Sequence, residues 1–430
     1  MTEPQVPEAG LLRDALNHAL ASAGADAQCS ALTIDRVRSR PGERVVIGAT
    51  ATCHAGGNTW QQLVGLRRLA PGRSGARFAD ASLRAVHRSH CGPGVLHLAD
   101  LDTVAWLFPN DCKITGAHAL ADRELFGQSI LPQLMVACGL ASSTRDWRLE
   151  LIRYVPEQSC TARLSVADPA GAESLQLIGK CASDERGQRG LAAQAAIHRA
   201  GLGRICAAPV LYLQAHRQAW QRFVPGTPLA PPLSAMTAAD QLASAIAALA
   251  DLHGIEAPTA LPRFDMAAEL QTLEALLQSF SSASHVDAAR ALLQRLRQLA
   301  PANGEHAFLH GDLHPANVLV DGSSARLIDF DAALAGPAAL DLGGMVSALV
   351  AQSLLQGAPD AIVPALAAGV WQQYTRCRPN ALSRSTFNWH VAFCLLRQRF
   401  ARNLTRHRVD RGDLQPRLLR HACDLLEDQW

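Results

Sequence analysis

The sequence predicts an α+β protein of two or three domains, with a strand-rich part followed by a helix-rich part. At 430 residues the chain exceeds the length of one ordinary domain. Short β-like runs separated by Gly and Pro, such as residues 44–51 and 102–108, fill residues 30–110. Amphipathic helical stretches cover residues 265–300 and 339–425.

The strand-rich part contains two similar hairpins. RVRSRPGERVVIGATAT in the first is echoed by RYVPEQSCTARLSV in the second, and the strand that follows each hairpin carries a glycine. A duplication and two independently evolved amphipathic hairpins both explain this echo. The matched pairs are Arg38 with Arg153, Pro41 with Pro156 and, after a one-residue slip, Gly65 with Gly179.

The composition argues against several classes of protein. The net charge of +2 and the hydrophobic fraction of 48% indicate neither nucleic acid nor a membrane surface as a partner. No apolar run is long enough to span a bilayer, and residues 1–16 lack the pattern of a signal peptide, so we expect a cytoplasmic protein. The eleven cysteines are scattered singly and predict reduced, mostly buried thiols.

Lysine is almost absent from the chain. Lys113 and Lys180 are the two lysines, and every other basic residue apart from histidine is arginine. Lys180 ends the β-like run at 174–180, where a compact point charge could reach a phosphate group. The alternative is a solvated lysine at a strand end.

One motif combines carboxylates and an amide in a spacing that indicates phosphoryl-transfer chemistry. HGDLHPANVLV at 310–320 places Asp312 five residues before Asn317, and LIDFD at 327–331 places Asp329 twelve residues further on. This set supplies a base for an acceptor hydroxyl and two oxygen ligands for magnesium. The turn at 321–324 predicts a hairpin that brings Asn317 and Asp329 to the same end.

HGDLHPANVLV followed by LIDFDAALAGPAALDLG resembles the family of aminoglycoside phosphotransferases and choline kinases. That resemblance implies a bilobal, protein-kinase-like fold that binds ATP and Mg²⁺ between its lobes. The expected division is an extra N-terminal α+β domain at 1–145, a small β-rich lobe with the interlobe linker at 146–226, and a larger helical lobe at 227–430. The alternative is a loop and a strand end of an unrelated α/β protein.

The resemblance also implies a role for each residue of the motif. Asp312 is the catalytic base, Asn317 and Asp329 hold magnesium, and His310 and Asp341 brace the catalytic loop. Asp331 either contacts the surroundings of the magnesium or makes a structural hydrogen bond. His253, at a predicted helix end, receives no role.

In the small lobe the resemblance places Lys180 at the donor phosphates. The turn at 156–159 would lie over those phosphates; it contains no glycine, so backbone amides and the Ser159 hydroxyl would have to serve. Main-chain groups of the linker residues Gln221, Phe223 and Val224 would meet the adenine edge.

The chain departs from the family at the partner of Lys180. Gln194 occupies the place of the expected glutamate, and the acids nearest to Lys180 in sequence are Asp184 and Glu185. A glutamine can hydrogen-bond an ammonium but cannot neutralise it, which questions either the alignment or full activity.

The acceptor is predicted from charge. Residues 361–420 contain eleven arginines but two acids, Asp410 and Asp413, and Arg399, Arg402 and Arg406 follow a helical spacing. A basic stripe favours a neutral or anionic acceptor over a polycationic one; the alternative is a solvated surface helix.

The sequence therefore predicts an ATP- and Mg²⁺-dependent phosphotransferase that acts on a hydroxyl of a small molecule. Two alternatives remain: a pseudokinase-like nucleotide-binding or scaffolding module, and a protein or peptide kinase. The oligomeric state is not predicted.

Overall fold

The computed structural model divides the chain into two compact units. The first comprises Met1–Gly187, Val210–Arg222 and Thr405–Arg408, and the second comprises Gln188–Pro209, Phe223–Leu404 and Val409–Trp430. These units are not the three domains that the sequence predicts, whose boundaries at 145 and 226 stay a prediction. The structure describes residues 6–40, 43–83, 87–140, 146–167, 175–229, 236–280, 284–302, 306–406 and 413–427.

The first unit begins with a helix packed on a five-stranded sheet. The sheet has the strand order β1-β2-β3-β5-β4, and its neighbouring strands are antiparallel. Leu12 and Leu16 of the helix are fully buried in the same apolar cluster as Ile47 and Leu66 of the sheet. The elements are α1 (Ala9–Ser22), β1 (Gln28–Arg40), β2 (Arg44–Ala55), β3 (Asn58–Leu69), α2 (Ser74–Ser82), β4 (Val95–Leu98) and β5 (Thr103–Leu107).

Short helices lead from this sheet to a second one. The helix-like stretch that the sequence predicts from Ala119 to Leu140 is helical over most of its length but is divided at Asp122. Asp122 adopts an extended conformation, and its side chain accepts a hydrogen bond from the Leu125 amide, so one helix ends there and another begins. The elements are α3 (His118–Ala121), α4 (Arg123–Leu125), α5 (Leu131–Ala137), β6 (Trp147–Val155), β7 (Ser159–Val166) and β8 (Leu175–Ala182), then α6 (Arg186–Arg199), β9 (Pro209–Leu213) and β10 (Gln218–Arg222).

The two sheets share one topology. The second has the order β6-β7-β8-β10-β9, which repeats that of the first strand by strand. In each, a glycine of the third strand pairs with a tryptophan across the ladder, Gly65 with Trp106 and Gly179 with Trp220. The echo between the hairpins therefore extends to two whole sheets, which favours duplication over independent origin.

The second unit is mostly helical. Its core contains fully buried side chains from several helices and from the strand β12, among them Leu249, Phe308, Leu349 and Phe393. The helical stretches predicted for 265–300 and 339–425 are confirmed where the structure describes these residues, which leaves out 281–283 and 407–412. The elements after α6 are β11 (Thr227–Pro228), α7 (Met236–His253), α8 (Met266–Gln278), α9 (Ser284–Gln298), β12 (Ala307–Leu309), β13 (Val318–Asp321), β14 (Ser324–Leu327), β15 (Leu334–Gly336), α10 (Ala339–Leu355), α11 (Ile362–Cys377), α12 (Arg384–Cys394), α13 (Arg402–Thr405) and α14 (Leu414–Leu426).

Within the described ranges, no helix combines the length and apolar character that crossing a membrane requires. The same ranges include all eleven cysteines, and none of them forms a disulfide.

Candidate active site

The predicted hairpin at 318–327 is confirmed. Val318 pairs with Leu327 and Asp321 with Ser324, and Gly322 supplies the positive φ of 58° in the two-residue turn. The amide of Ile328 donates to the carbonyl of Asn317 over 2.9 Å. Asn317 and the residue before Asp329 are therefore joined at the open end of the hairpin.

Asp341 holds the loop before the hairpin. Its carboxylate accepts hydrogen bonds from the amides of His310 at 2.7 Å and Gly311 at 2.9 Å, and its side chain is 1% exposed. Gly311 has a φ of 82°, and a Cβ there would overlap the carbonyl of Ala332, so the position needs glycine. The loop is thus fixed by a buried carboxylate from the first turn of α10.

His310 ties this loop to the hairpin. Its Nε2 lies 2.8 Å from the carbonyl of Ile328, and its Nδ1 lies 3.4 Å from the amide of Asp312. A ring that donates from Nε2 and accepts at Nδ1 satisfies both contacts. The fully buried ring therefore fixes the distance between the two halves of the motif.

The structure adds two supporting residues that the sequence did not reveal. His253, the last residue of α7, places Nε2 3.3 Å from Asp341 Oδ2, and its Nδ1 lies 3.0 Å from the hydroxyl of Tyr374 in α11. All three groups are buried. In the sequence a histidine before Gly254 is typical of a helix end, and only the packing of α7, α10 and α11 shows its contact with Asp341.

The oxygen atoms of Asn317 and Asp329 fit a hard divalent cation. The Nδ2 of Asn317 donates to the carbonyl of Asp312 over 3.0 Å, so its Oδ1 is the side-chain atom left for a ligand. Asp329 follows β14 in the left-handed region, with a φ of 68°. An amide oxygen and a carboxylate are ligands that Mg²⁺ accepts, usually together with waters and phosphate oxygens.

Asp312 lies beside an arginine. Both terminal nitrogens of Arg402 are 3.5 Å from Asp312 Oδ1, and the two side chains are 38% and 36% exposed. Burial raises the pKa of Asp312, but the charge of Arg402, followed by smaller contributions from His314, His310 and Arg399, outweighs it and lowers the pKa below its ordinary value. Asp312 is therefore a carboxylate at neutral pH.

Arg399 lies on the same stretch and is held by polar groups of α10. Its Nε donates to the Ser347 hydroxyl at 3.1 Å, and one terminal nitrogen lies 3.4 Å from the carbonyl of Gly344. Both contacts fix the guanidinium near the catalytic loop, which is why Arg399 contributes to the lowered pKa of Asp312.

The prediction that Arg399, Arg402 and Arg406 form one continuous stripe along a regular helix is wrong. A π-helical segment, Leu395–Ala401, interrupts the helix between α12 and α13, and Arg406 follows the end of α13. Several other arginines of the window are bound to acids, Arg397 to Glu269 and both Arg417 and Arg420 to Asp360. Arg408, Asp410 and Arg411 lie outside the described residues.

Helix α6 packs against the second half of the motif. A Cβ on Gly190 would lie 2.9 Å from Asp331 Oδ1, so glycine lets the helix approach that carboxylate. Gln194, one turn further along α6, is 2% exposed. Asp184, one of the two acids nearest to Lys180 in sequence, forms an ion pair with Arg186 at 2.7 Å.

The remaining predicted residues belong mostly to the first unit. Lys180 lies in β8 between Thr161 of β7 and Ala219 of β10, as the sequence predicts for a strand lysine. Ser159 is the first residue of β7 and Gln221 lies in β10. Phe223 and Val224 follow in the second unit. The roles proposed for these five residues and for the partner of Lys180 stay predictions.

Residues 181–384 match the model of the phosphotransferase enzyme family, APH. This part of the chain is similar to that family. The match includes the whole HGD and IDFD motif and begins one residue after Lys180. No curated protein matches the chain.

The chain is similar to solved structures of kinases, one of which superposes well enough to show the fold. An ethanolamine kinase from Plasmodium vivax superposes with a TM-score of 0.50 at 12% identity, over 75% of this chain and 96% of that one. Choline kinase LicA from Streptococcus pneumoniae, with a TM-score of 0.43 and 12% identity, covers 70% and 99%. Macrolide 2′-phosphotransferase MphH from Brachybacterium faecium, with a TM-score of 0.43 and 18% identity, covers 68% and 97%. The mixed α+β fold class is confirmed by the ethanolamine kinase.

Proposed function

We propose that the protein transfers a phosphoryl group from ATP, with Mg²⁺, to a hydroxyl of a neutral or anionic small molecule. The observation that carries this proposal is the loop of Asp312, fixed by Asp341 and joined through His310 to the hairpin end that bears Asn317 and Asp329. The match of residues 181–384 to the phosphotransferase enzyme family supports the reaction class. A rigid arrangement of this kind suits phosphoryl transfer, in which positioning and charge neutralisation supply most of the catalysis.

In this proposal Asp312 accepts a hydrogen bond from the acceptor hydroxyl and takes its proton as the new bond forms. Its lowered pKa makes it a weak base, which suits a loose transition state in which the proton leaves late. Asn317 and Asp329 would hold Mg²⁺, which neutralises charge on the phosphates when bound. Lys180 and the Ser159 hydroxyl would contact the donor phosphates, and main-chain groups of Gln221, Phe223 and Val224 would meet the adenine edge.

The arginines beside Asp312 support an anionic or neutral acceptor. Arg402 lies 3.5 Å from the carboxylate that would meet the acceptor hydroxyl, and Arg399 is held close by. A phosphate or carboxylate on the acceptor could bind these guanidinium groups through charge-assisted hydrogen bonds. A polycation would meet like charge there. We propose a cytoplasmic enzyme that takes nucleotide and a small-molecule acceptor.

The test is an activity screen of the purified protein with ATP and Mg²⁺. The acceptor panel contains sugars, amino alcohols and phosphorylated metabolites, and ³¹P NMR identifies the product. Asp312→Asn is the matched control, because it keeps the shape of the side chain and removes the base. Nucleotide binding without transfer to any hydroxyl in the panel would count against this function.

Gln194 favours one rival, a pseudokinase-like module. It is buried on α6 where the family has a glutamate, and it cannot neutralise a lysine. A Gln194→Glu variant separates the two functions. A large gain in activity would indicate a weakened site, whereas unchanged inactivity together with nucleotide binding would support the binding module.

A further inference from the structure

The turn between β6 and β7 rests on the first sheet of the same unit. Gly48 of β2 and Gly65 of β3 pair with each other, and together they form a flat surface under Pro156. A Cβ on Gly48 would lie 3.2 Å from the Pro156 ring, and one on Gly65 would lie 3.1 Å from it. Two adjacent glycines therefore allow the proline to sit directly on the backbone of the sheet.

Asp111, in the loop after β5, fixes the same turn from the side. Its Oδ2 accepts hydrogen bonds from the Tyr154 hydroxyl at 2.7 Å and from the Glu157 amide at 2.9 Å. The next amide, that of Gln158, donates to the carbonyl of Val155. The amides of Glu157 and Gln158 thus already donate hydrogen bonds within the protein, and fewer amides of the turn remain to donate to a phosphate.

Glu157 anchors the turn in a buried charge cluster. Its carboxylate accepts a hydrogen bond of 2.6 Å from Arg67, and the side chains of Lys113 and Arg44 lie 3.6 Å and 3.9 Å away. The side chain of Glu157 is 3% exposed and that of Arg67 is 9% exposed. Burial raises the pKa of Glu157, but Arg67 and then Arg44 and Lys113 lower it below the ordinary value. The anchor is therefore an ion pair at neutral pH.

The backbone of Glu157 shows that the anchor constrains the turn. Its φ is 61°, in the left-handed region that a glutamate seldom adopts. Such a conformation persists where the surroundings fix it, and here the amide and the carboxylate of the same residue are both held. Lys113 also has a defined partner here and is not an isolated surface lysine.

We propose that Arg67 and Glu157 are positioning residues through which the N-terminal sheet sets the turn that covers the nucleotide phosphates. This inference rests on the proposed function. A glycine-rich loop closes by ordering itself on the phosphates, whereas this turn is already ordered, so nucleotide binding loses less conformational entropy. The first sheet has Leu66 one residue after Gly65, at the position that matches Lys180 after Gly179 in the second sheet. It has no lysine for phosphate and contributes Arg67 to the turn.

The test uses the protein of 430 residues with Arg67→Ala, Arg67→Lys and, as a matched control, Leu16→Ala in the helix α1 that packs on the same sheet. Calorimetry with ADP and Mg²⁺ measures nucleotide affinity, and hydrogen exchange measures protection of the Glu157 amide. We expect Arg67→Ala to weaken nucleotide binding by about tenfold and to speed exchange of that amide. Arg67→Lys should restore part of both, and Leu16→Ala should lower Tm without changing either.

Nucleotide affinity within about twofold of wild type in Arg67→Ala, or equal weakening in Leu16→Ala, would overturn this inference and leave the proposed function standing. A wild-type protein that binds no nucleotide would overturn both.

Discussion

Replacing Arg402 by alanine should raise the pKa of Asp312. The two side chains form an ion pair with a closest distance of 3.5 Å. In a medium with the dielectric constant of water, two unit charges at that distance interact by about 1 kcal/mol. Because each side chain is more than a third exposed, the value near water applies and the interior value does not. One pKa unit corresponds to about 1.4 kcal/mol, so the expected rise is roughly one unit or slightly less.

The assay is a pH titration of the Asp312 carboxyl carbon by ¹³C NMR, which needs no acceptor. The spectrum of Asp312→Asn identifies the resonance, and Arg376→Ala, which removes an exposed arginine bound to Gln373, is the matched control. In wild type the carboxyl should titrate below the ordinary aspartate value of about 3.9. The carboxylate stabilises the fold above that pH, and the contribution is lost as pH falls through the lowered pKa.

A pKa that moves by less than about 0.2 unit in Arg402→Ala would refute the reasoning, because it would mean that the guanidinium does not contact Asp312 in solution. The pKa of Asp312 in Arg402→Lys should lie between its values in wild type and in Arg402→Ala, because lysine keeps the charge on a more flexible stem.

Three further predictions concern the reaction. Asp312→Asn should reduce turnover by about 10²–10⁴-fold with little change in nucleotide affinity. Asp329→Asn should instead weaken Mg²⁺-dependent nucleotide binding. Similar calorimetric titrations for the two variants would contradict the roles of base and metal ligand. Lys180→Arg should lose activity, because a guanidinium cannot replace a point charge at the phosphates. Wild-type turnover in this variant would indicate that Lys180 is a solvated lysine at a strand end. Kanamycin-type aminoglycosides should not be phosphorylated, and a Michaelis constant for them in the common range of roughly 1 μM–1 mM would disprove the charge argument.

Local sequence signals predicted the hairpin at 318–327 well. Gly322 between two apolar runs defines the turn, and the register that follows from it places Asn317 and Asp329 together. The helical stretch at 265–300 followed from apolar spacing for the same reason. Such features depend on neighbours in the chain, so the sequence contains enough information to place them.

Contacts between distant elements were less predictable. His253 meets Asp341 and Tyr374 from helices more than 80 residues apart, and nothing in its local pattern distinguishes it from a helix end. The arginine spacing at 399, 402 and 406 assumed a regular helix, but the π-helical segment at Leu395–Ala401 changes the angular step. Asp360, just before the arginine window, binds two of its members and removes them from a free basic surface.

The order of the strands along the chain has a consequence for how the protein is made. The first sheet is complete at Leu107, whereas the second needs β10, which ends at Arg222 after the helix α6 has been synthesised. Domains generally fold in the order in which they emerge during synthesis. We therefore expect the paired glycines and Arg67 to be in place when the β6–β7 turn emerges. The first sheet would then serve as a template on which the second sheet assembles.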